Sequence, residues 1–210
     1  VENLSSLAVK VSALVHELQK ERGASAVFLG SVGTEFVSEV SRQRQETDRK
    51  LADLQIFLKG FDADRFGAGF KGKLDIALTN IDAIKGKREA IDRLRISGNE
   101  AINYFENTIA SSLDVVADIS TLSSNTEITI MTAAYVNFLL AKERVGRERA
   151  LMSNTFAMDR FEPGMFNMFT SFVTEQNAYM NVFLSFASSE QREFYMTKMQ
   201  GRFVDEAARM

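Results

Sequence analysis

Apolar residues recur three and four positions apart along almost the whole chain, beginning with Leu4, Leu7, Val11, Leu14 and Leu18. That spacing lines one face of an α-helix, whereas a half-buried strand would alternate every second residue. The seam predicts a first helix from about Val1 to Leu29, closed by Gly30 and Gly33, and a second from Thr34 to about Lys59. LKGFDADRFGAGFKG, with four glycines, is the least regular stretch. Helical spacing resumes through Leu74, Leu78, Ile81, Ile84, Ile91 and Leu94, with Gly86 as the point where this helix would break.

Ser97 and Glu100 read as a capping box opening a helix from about Gly98 to Leu122, and Ser124 with Glu127 repeats the device for the longest helix, to about Ala157. Pro163 after Glu162 fits the first turn of a helix to about Ala187; Ser188 then caps a last helix running to Met210 without a stop signal, with Gly201 as its soft point. Strand signals are missing and the chain has one Pro. The pattern predicts an all-α fold of antiparallel long helices, with residues 1–210 as one domain.

Composition narrows function mainly by exclusion. With no Cys and only His16, the chain lacks disulfides, thiolate zinc sites, thiol nucleophiles and multi-histidine metal centres, and a Ser-His-Asp catalytic arrangement is improbable. The expectation is a binding module without catalysis, metal or cofactor. A formal charge of -3 and a pI near 5.4 point away from nucleic acid as a partner. The chain has no apolar run of the roughly 18 residues that a membrane span needs. It opens with VENLSSLAVK, which lacks the features of a signal peptide. Both ends read as helices cut mid-course, which points to a domain excised from a longer chain.

The seam is interrupted in QKERGASAVFLG, where Glu21 and Ser25 fall on the core-facing stripe and Arg22 on its flank before Phe28 restores apolar character. LQKERGASAVFLGS from Leu18 is echoed by LAKERVGRERALMS from Leu140, each copy near the end of a long helix. In the second copy Arg149 lies four residues after Val145 and three before Met152, with Arg144 one turn earlier. Two readings stay open on these residues. One is structural: Glu21 pairs with Arg149, Glu143 with Arg147, and Arg144 with Glu148. The other is an anion pocket, since arginine's planar fork donates to two oxygens at once and Ser25 adds a hydroxyl donor. Arg44, Thr47 and Asp48 form a second polar group on one face of the next helix, by default a solvated one. His16 reads as a lone satisfied or exposed histidine. The Met and Phe dense from Phe156 to Met199 read as gap-filling core.

LxxERGxSxxFL in the first helix, R-x-x-T-D at Arg44, Thr47 and Asp48, and KERxGxERALMSN later resemble, in order and separation, the NIT domain. This is the nitrate- and nitrite-sensing module of bacterial chemoreceptors, sensor kinases, cyclic-dinucleotide enzymes and a nitrate-responsive antiterminator. The resemblance runs from about Leu14 to FVDEAARM. It implies two coupled four-helix bundles that bind nitrate or nitrite through arginines, carried over to Arg22, Arg144 and Arg149, with Arg44 as a weaker addition. The expectation that follows is the periplasmic ligand-binding domain of a homodimeric inner-membrane chemotaxis receptor, held between flanking membrane spans, signalling by displacement of its first and last helices. A structural or dimerising bundle, or the same fold for an amino acid or polyamine, is the alternative.

Overall fold

The computed structural model describes residues 2–122, 125–158, 160–161 and 163–207. It is all-helical among these residues: α1 Glu2–Gly30, α2 Val37–Leu58, a 3-10 turn Ala63–Phe66, α3 Ala68–Asp82, α4 Ile84–Asp92, α5 Gly98–Leu122, α6 Thr126–Met158, α7 Met165–Phe186, α8 Ser189–Lys198 and α9 Arg202–Ala207.

The opening seam is the centre of the core. Leu4, Leu7, Val11, Leu14 and Leu18 are each at most 4% exposed and pack with Leu54 of α2, Phe70, Leu74 and Ile81 of α3, Ile84 and Ile91 of α4, and Phe105, Ile109 and Val116 of α5. α3 and α4 form one bent arm of this bundle, and the bend falls at Ala83 rather than at Gly86, which lies within α4. With α1, α2 and α5 this arm completes a four-helix bundle. Cross-links fix its directions: Arg44 meets Asp92 while Asp48 meets Arg88, and Lys73 meets Asp118 while Asn80 meets Ser111, so both helix pairs run antiparallel.

α6 leaves this bundle alongside α5 and pairs antiparallel with α7, whose Phe183 stacks obliquely on Phe138 and edge-on to Tyr195 of α8. The second unit is therefore built on α6, α7 and α8, and among the described residues its core is small: Ala134, Phe183 and Ala187, flanked by Phe138, Met180, Leu184 and Tyr195. Phe166, Met168, Phe186, Phe194, Met196 and Met199 lie exposed instead. The reading of this segment as gap-filling core is corrected for those residues: α7 is apolar around more of its circumference than the described part of α6 covers, and α8 is a largely polar helix whose few apolar side chains do not all reach a neighbour.

Capping follows the sequence where side chains decide it. Glu100 accepts from the Ser97 backbone N–H at 2.8 Å while its own N–H donates to the Ser97 hydroxyl at 3.2 Å, and Ser188 with Gln191 makes the same box. Ser124 lies outside the described residues; Asn125 caps α6, its side-chain oxygen accepting from the Ile128 N–H at 3.2 Å. Pro163 precedes Gly164, the N-cap of α7, and so stands before the first turn rather than in it. The last helix does stop: α8 ends at Lys198, Gly201 takes φ 124, and α9 begins at Arg202.

α1 ends at Gly30, where its glycines place the stop. Gly33 N–H reaches the Phe28 carbonyl at 2.8 Å, which puts Val32, at φ 54, in the left-handed position that usually takes glycine. Val32 is 70% exposed, so its side chain returns little packing for that strain. Val32→Gly should raise stability by up to about 1 kcal/mol. Phe105→Ala, at a fully buried core position, should cost about 3–5 kcal/mol. Urea unfolding midpoints read both.

Candidate functional site

Glu21 and Arg22 are adjacent on α1, and both are buried, at 0% and 5% exposure. Neighbouring helix residues point about 100° apart, so each must find its counter-charge on a different side of α1. A charge left alone at such depth costs several kcal/mol, and the packing helices supply the partners.

Arg22 faces α6 and α5. Its Nη1 donates to Glu143 Oε1 at 2.5 Å and its Nη2 to Oε2 at 3.4 Å, a two-pronged contact with a side chain that is itself 2% exposed. Arg147 Nε donates to the same Oε1 at 3.1 Å, and Gln19 Nε2 to Oε2 at 2.7 Å. Glu106 lies 3.3 Å from Arg147 and 3.9 Å from Arg22. The Glu143 carboxylate thus sits in a cage of two guanidinium groups and an amide. The glycine of the KERxG stretch belongs to this cage: a Cβ on Gly146 would stand 3.0 Å from Arg22 Nη2.

Glu21 faces α2 and α4. Arg88 Nε and Nη2 donate to its two oxygens at 2.7 and 2.9 Å, while Arg88 Nη1 donates to Asp48 at 2.5 Å. Burial works against the Arg88 charge, yet the hydrogen bonds and charge of Glu21, then of Asp48, raise its pKa above the usual guanidinium value. Arg44 Nη1 donates to both oxygens of Asp92, and its Nε is 3.9 Å from Glu21. Arg44 Nε and Nη2 and the Ser25 hydroxyl are buried without a hydrogen-bond partner. Thr47 is fully buried and bonds back to the Gln43 carbonyl, so this face of α2 is packed at Thr47 and Arg44 and solvated only at Asp48.

The predicted residues therefore separate. Arg22 and Ser25 are in the core and Arg44 is half-buried beside Glu21, but Arg144 turns to α7, bonding Glu175 and lying 5.6 Å from the Tyr179 ring centroid. Arg149 is exposed, and so is Val145, 45% open to solvent, on which its inward placement rested. Two of the expected ion pairs are replaced: Glu21 takes Arg88 instead of Arg149, and Arg144 takes Glu175 instead of Glu148. Burial raises the pKa of Glu148. The Glu143 to Arg147 pair forms as expected.

Arg88 and Glu143 were the residues missed. Both carry a readable signal, Arg88 standing four after Ile84 and three before Ile91, and Glu143 four after Leu139, each on a buried stripe. Among the described residues no group of three acids or histidines gathers as a metal would require.

A family model described as nitrate and nitrite sensing matches residues 13–210. The nitrate regulatory protein of Klebsiella oxytoca is 25% identical over 204 residues, covering 97% of this chain and 51% of that protein. The solved structure of the NasR transcription antiterminator aligns with a TM-score of 0.89 at 25% identity, over 95% of this chain and 54% of its own. The chain spans about half the length of these relatives.

The expectation of a periplasmic chemoreceptor domain held between membrane spans is corrected by these relatives, a regulatory protein and a transcription antiterminator. No described helix is long and apolar enough to cross a membrane. The motif residues Arg22, Ser25 and Thr47 are buried, so the motifs record how helices pack and nothing about where in the cell the domain works. The exclusion of nucleic acid falls too: one relative acts on transcription, and the charge balance described only a stretch matching half of it.

Removing the Arg22 guanidinium takes from the buried Glu143 carboxylate its two-pronged partner and leaves it only Arg147 and Gln19. Arg22→Ala should cost about 3–5 kcal/mol, and pairing it with Glu143→Leu should recover most of that; urea unfolding of the single and double variants reads the difference. His16 Nδ1 lies 2.8 Å from Lys142 Nζ, and burial, then Lys142 and Lys20, lower its pKa against the opposing charge of Glu17. The folded state then binds fewer protons than the unfolded one. Stability is full above the unfolded value of 6.5 and declines as pH falls below it. His16→Gln should flatten that decline in midpoints measured from pH 7.5 to about 5.

Proposed function

Because the chain belongs to the nitrate- and nitrite-sensing family, we propose that it is the sensory domain of a regulatory protein. It binds nitrate or nitrite in the Arg22 cage and performs no catalysis. The observation that carries this reading is the Glu143 carboxylate held by Arg22, Arg147 and Gln19. Nitrate and nitrite share with a carboxylate a single negative charge and coplanar oxygens, so donors arranged for one suit the others. Ser25, fully buried, unpaired and one turn beyond Arg22, supplies a further donor.

Charge favours this side of α1 over the other. Around Arg22, two arginines face Glu143 and Glu106; around Arg44, two arginines face Glu21, Asp48 and Asp92. An added anion meets a balanced group at the first and an acidic excess at the second. A polyamine is disfavoured at the cage, whose contacts to the carboxylate are all made by donors. In relatives this stretch accounts for about half the chain, and the regulatory output it would govern, antitermination of transcription in one of them, is proposed by that kinship.

Sodium nitrate should raise the thermal midpoint beyond an equal concentration of sodium chloride. At about a hundred-fold excess over Kd, mass action adds about 2.7 kcal/mol, or roughly 5–10 °C for a chain of this size. Arg22→Lys, which keeps the charge but loses the planar fork, should abolish most of the shift. A nitrate response no larger than that to chloride would sink the sensing function, and an undiminished response in the variant would move the site elsewhere.

A further inference from the structure

We infer that Glu143 is a tethered occupant of the ligand's place, so that an arriving anion must break the Arg22–Glu143 pair and with it the main polar tie between α1 and α6. This deepens the sensing function proposed above and rests on it.

The geometry leaves no place for a second anion on the same prongs. Arg22 Nη1 and Nη2 both point at Glu143, and the α6 backbone at Gly146 comes so close to Nη2 that even a Cβ there would stand at 3.0 Å. A ligand that uses this fork replaces the carboxylate. The exchange is balanced in charge, one monovalent planar oxyanion for another, and it strands nothing: Glu143 keeps Arg147, one turn along its own helix at 3.1 Å.

The consequence for α6 follows from how sparsely it is tied to α1. Among the described residues their polar links are Arg22–Glu143, Gln19–Glu143 and Lys142–His16, so two of these three run through the one carboxylate. The Glu21–Arg88 pair on the opposite side of α1 is untouched, which keeps the first bundle closed. The anion binds only where Glu143 has withdrawn, so it shifts the population toward a detached α6, the helix that carries α7 and α8. By reciprocity, whatever weakens the carboxylate's grip on Arg22 tightens the anion's.

The test combines titration calorimetry with sodium nitrate and a distance measurement on the same chain. Glu143→Gln keeps the shape but turns a charge-assisted contact into a neutral one, and should tighten nitrate by about ten-fold. Glu106→Gln, which removes a nearby charge without vacating the fork, should tighten it clearly less. Since the chain has no Cys, spin labels at Val27→Cys and Ala150→Cys, both exposed, report on α1 and α6 directly. Nitrate should shift their separation by about 2 Å or more.

Nitrate binding with equal effects of the two variants, or with an unchanged label distance, overturns the displacement and leaves the sensing function standing. Absence of binding to both the parent chain and Glu143→Gln overturns the sensing function itself. Binding by Glu143→Gln alone supports displacement. Should that variant fail to fold, the label distance in the parent sequence decides.

Discussion

Two opposite charges buried side by side on one helix constrain the rest of this structure. Glu21 and Arg22 interrupt a leucine seam and cannot neutralise each other across the helix surface, because neighbouring positions diverge. Each is satisfied only if another helix arrives on its side with the right group: α4 with Arg88 against Glu21, α6 with Glu143 against Arg22. Apolar burial drives the helices together without specifying their register. The paired charges add that register, since a slip of one turn would leave a buried ion alone at a cost of several kcal/mol.

The two sides of α1 differ in what they can do. On the α2 and α4 side the acids outnumber the arginines, and Arg88 holds Glu21 and Asp48 together in a group that joins three helices. On the α5 and α6 side the charges balance and the central carboxylate belongs to a helix otherwise lightly attached to α1. The first arrangement reads as a permanent brace. The second has the makings of a switch, because a carboxylate can be exchanged for another small planar anion without creating a net charge.

Much of the fold was legible. Three-four spacing located nearly every helix, and the capping boxes at Ser97 and Ser188 formed as their sequences indicate. Details the spacing did not show had local causes: Val32 shares the left-handed turn after α1 with Gly33, and the bend of the third arm fell at Ala83. The ERG and KERxG stretches do meet, through Arg22 and Glu143, but which of Arg144, Arg147 and Arg149 faces Arg22 could not be decided from spacing. Those three arginines lie within little more than a turn and a half of α6, so a modest rotation decides which one faces Arg22. Reliance on Val145 as a core residue chose the wrong rotation. The aromatic and methionine content of α7 and α8 likewise revealed apolar side chains without revealing how many of them the described residues leave exposed.

By itself the sequence determined that the chain is helical, roughly where most of its helices lie, that its first helix carries charges into the core, and that its motif residues match a nitrate- and nitrite-sensing family. Those properties are local, written in spacing, caps and residue type. Only the tertiary structure decided which charges meet: that Glu21 belongs to Arg88, that Arg22 and Arg147 converge on Glu143, and that Arg144 turns away to Glu175. The physical reason is that a helix offers every charge a choice of partners at similar sequence distance. Which pair forms depends on how the apolar faces settle, and therefore on the rotation of whole helices rather than on any one residue.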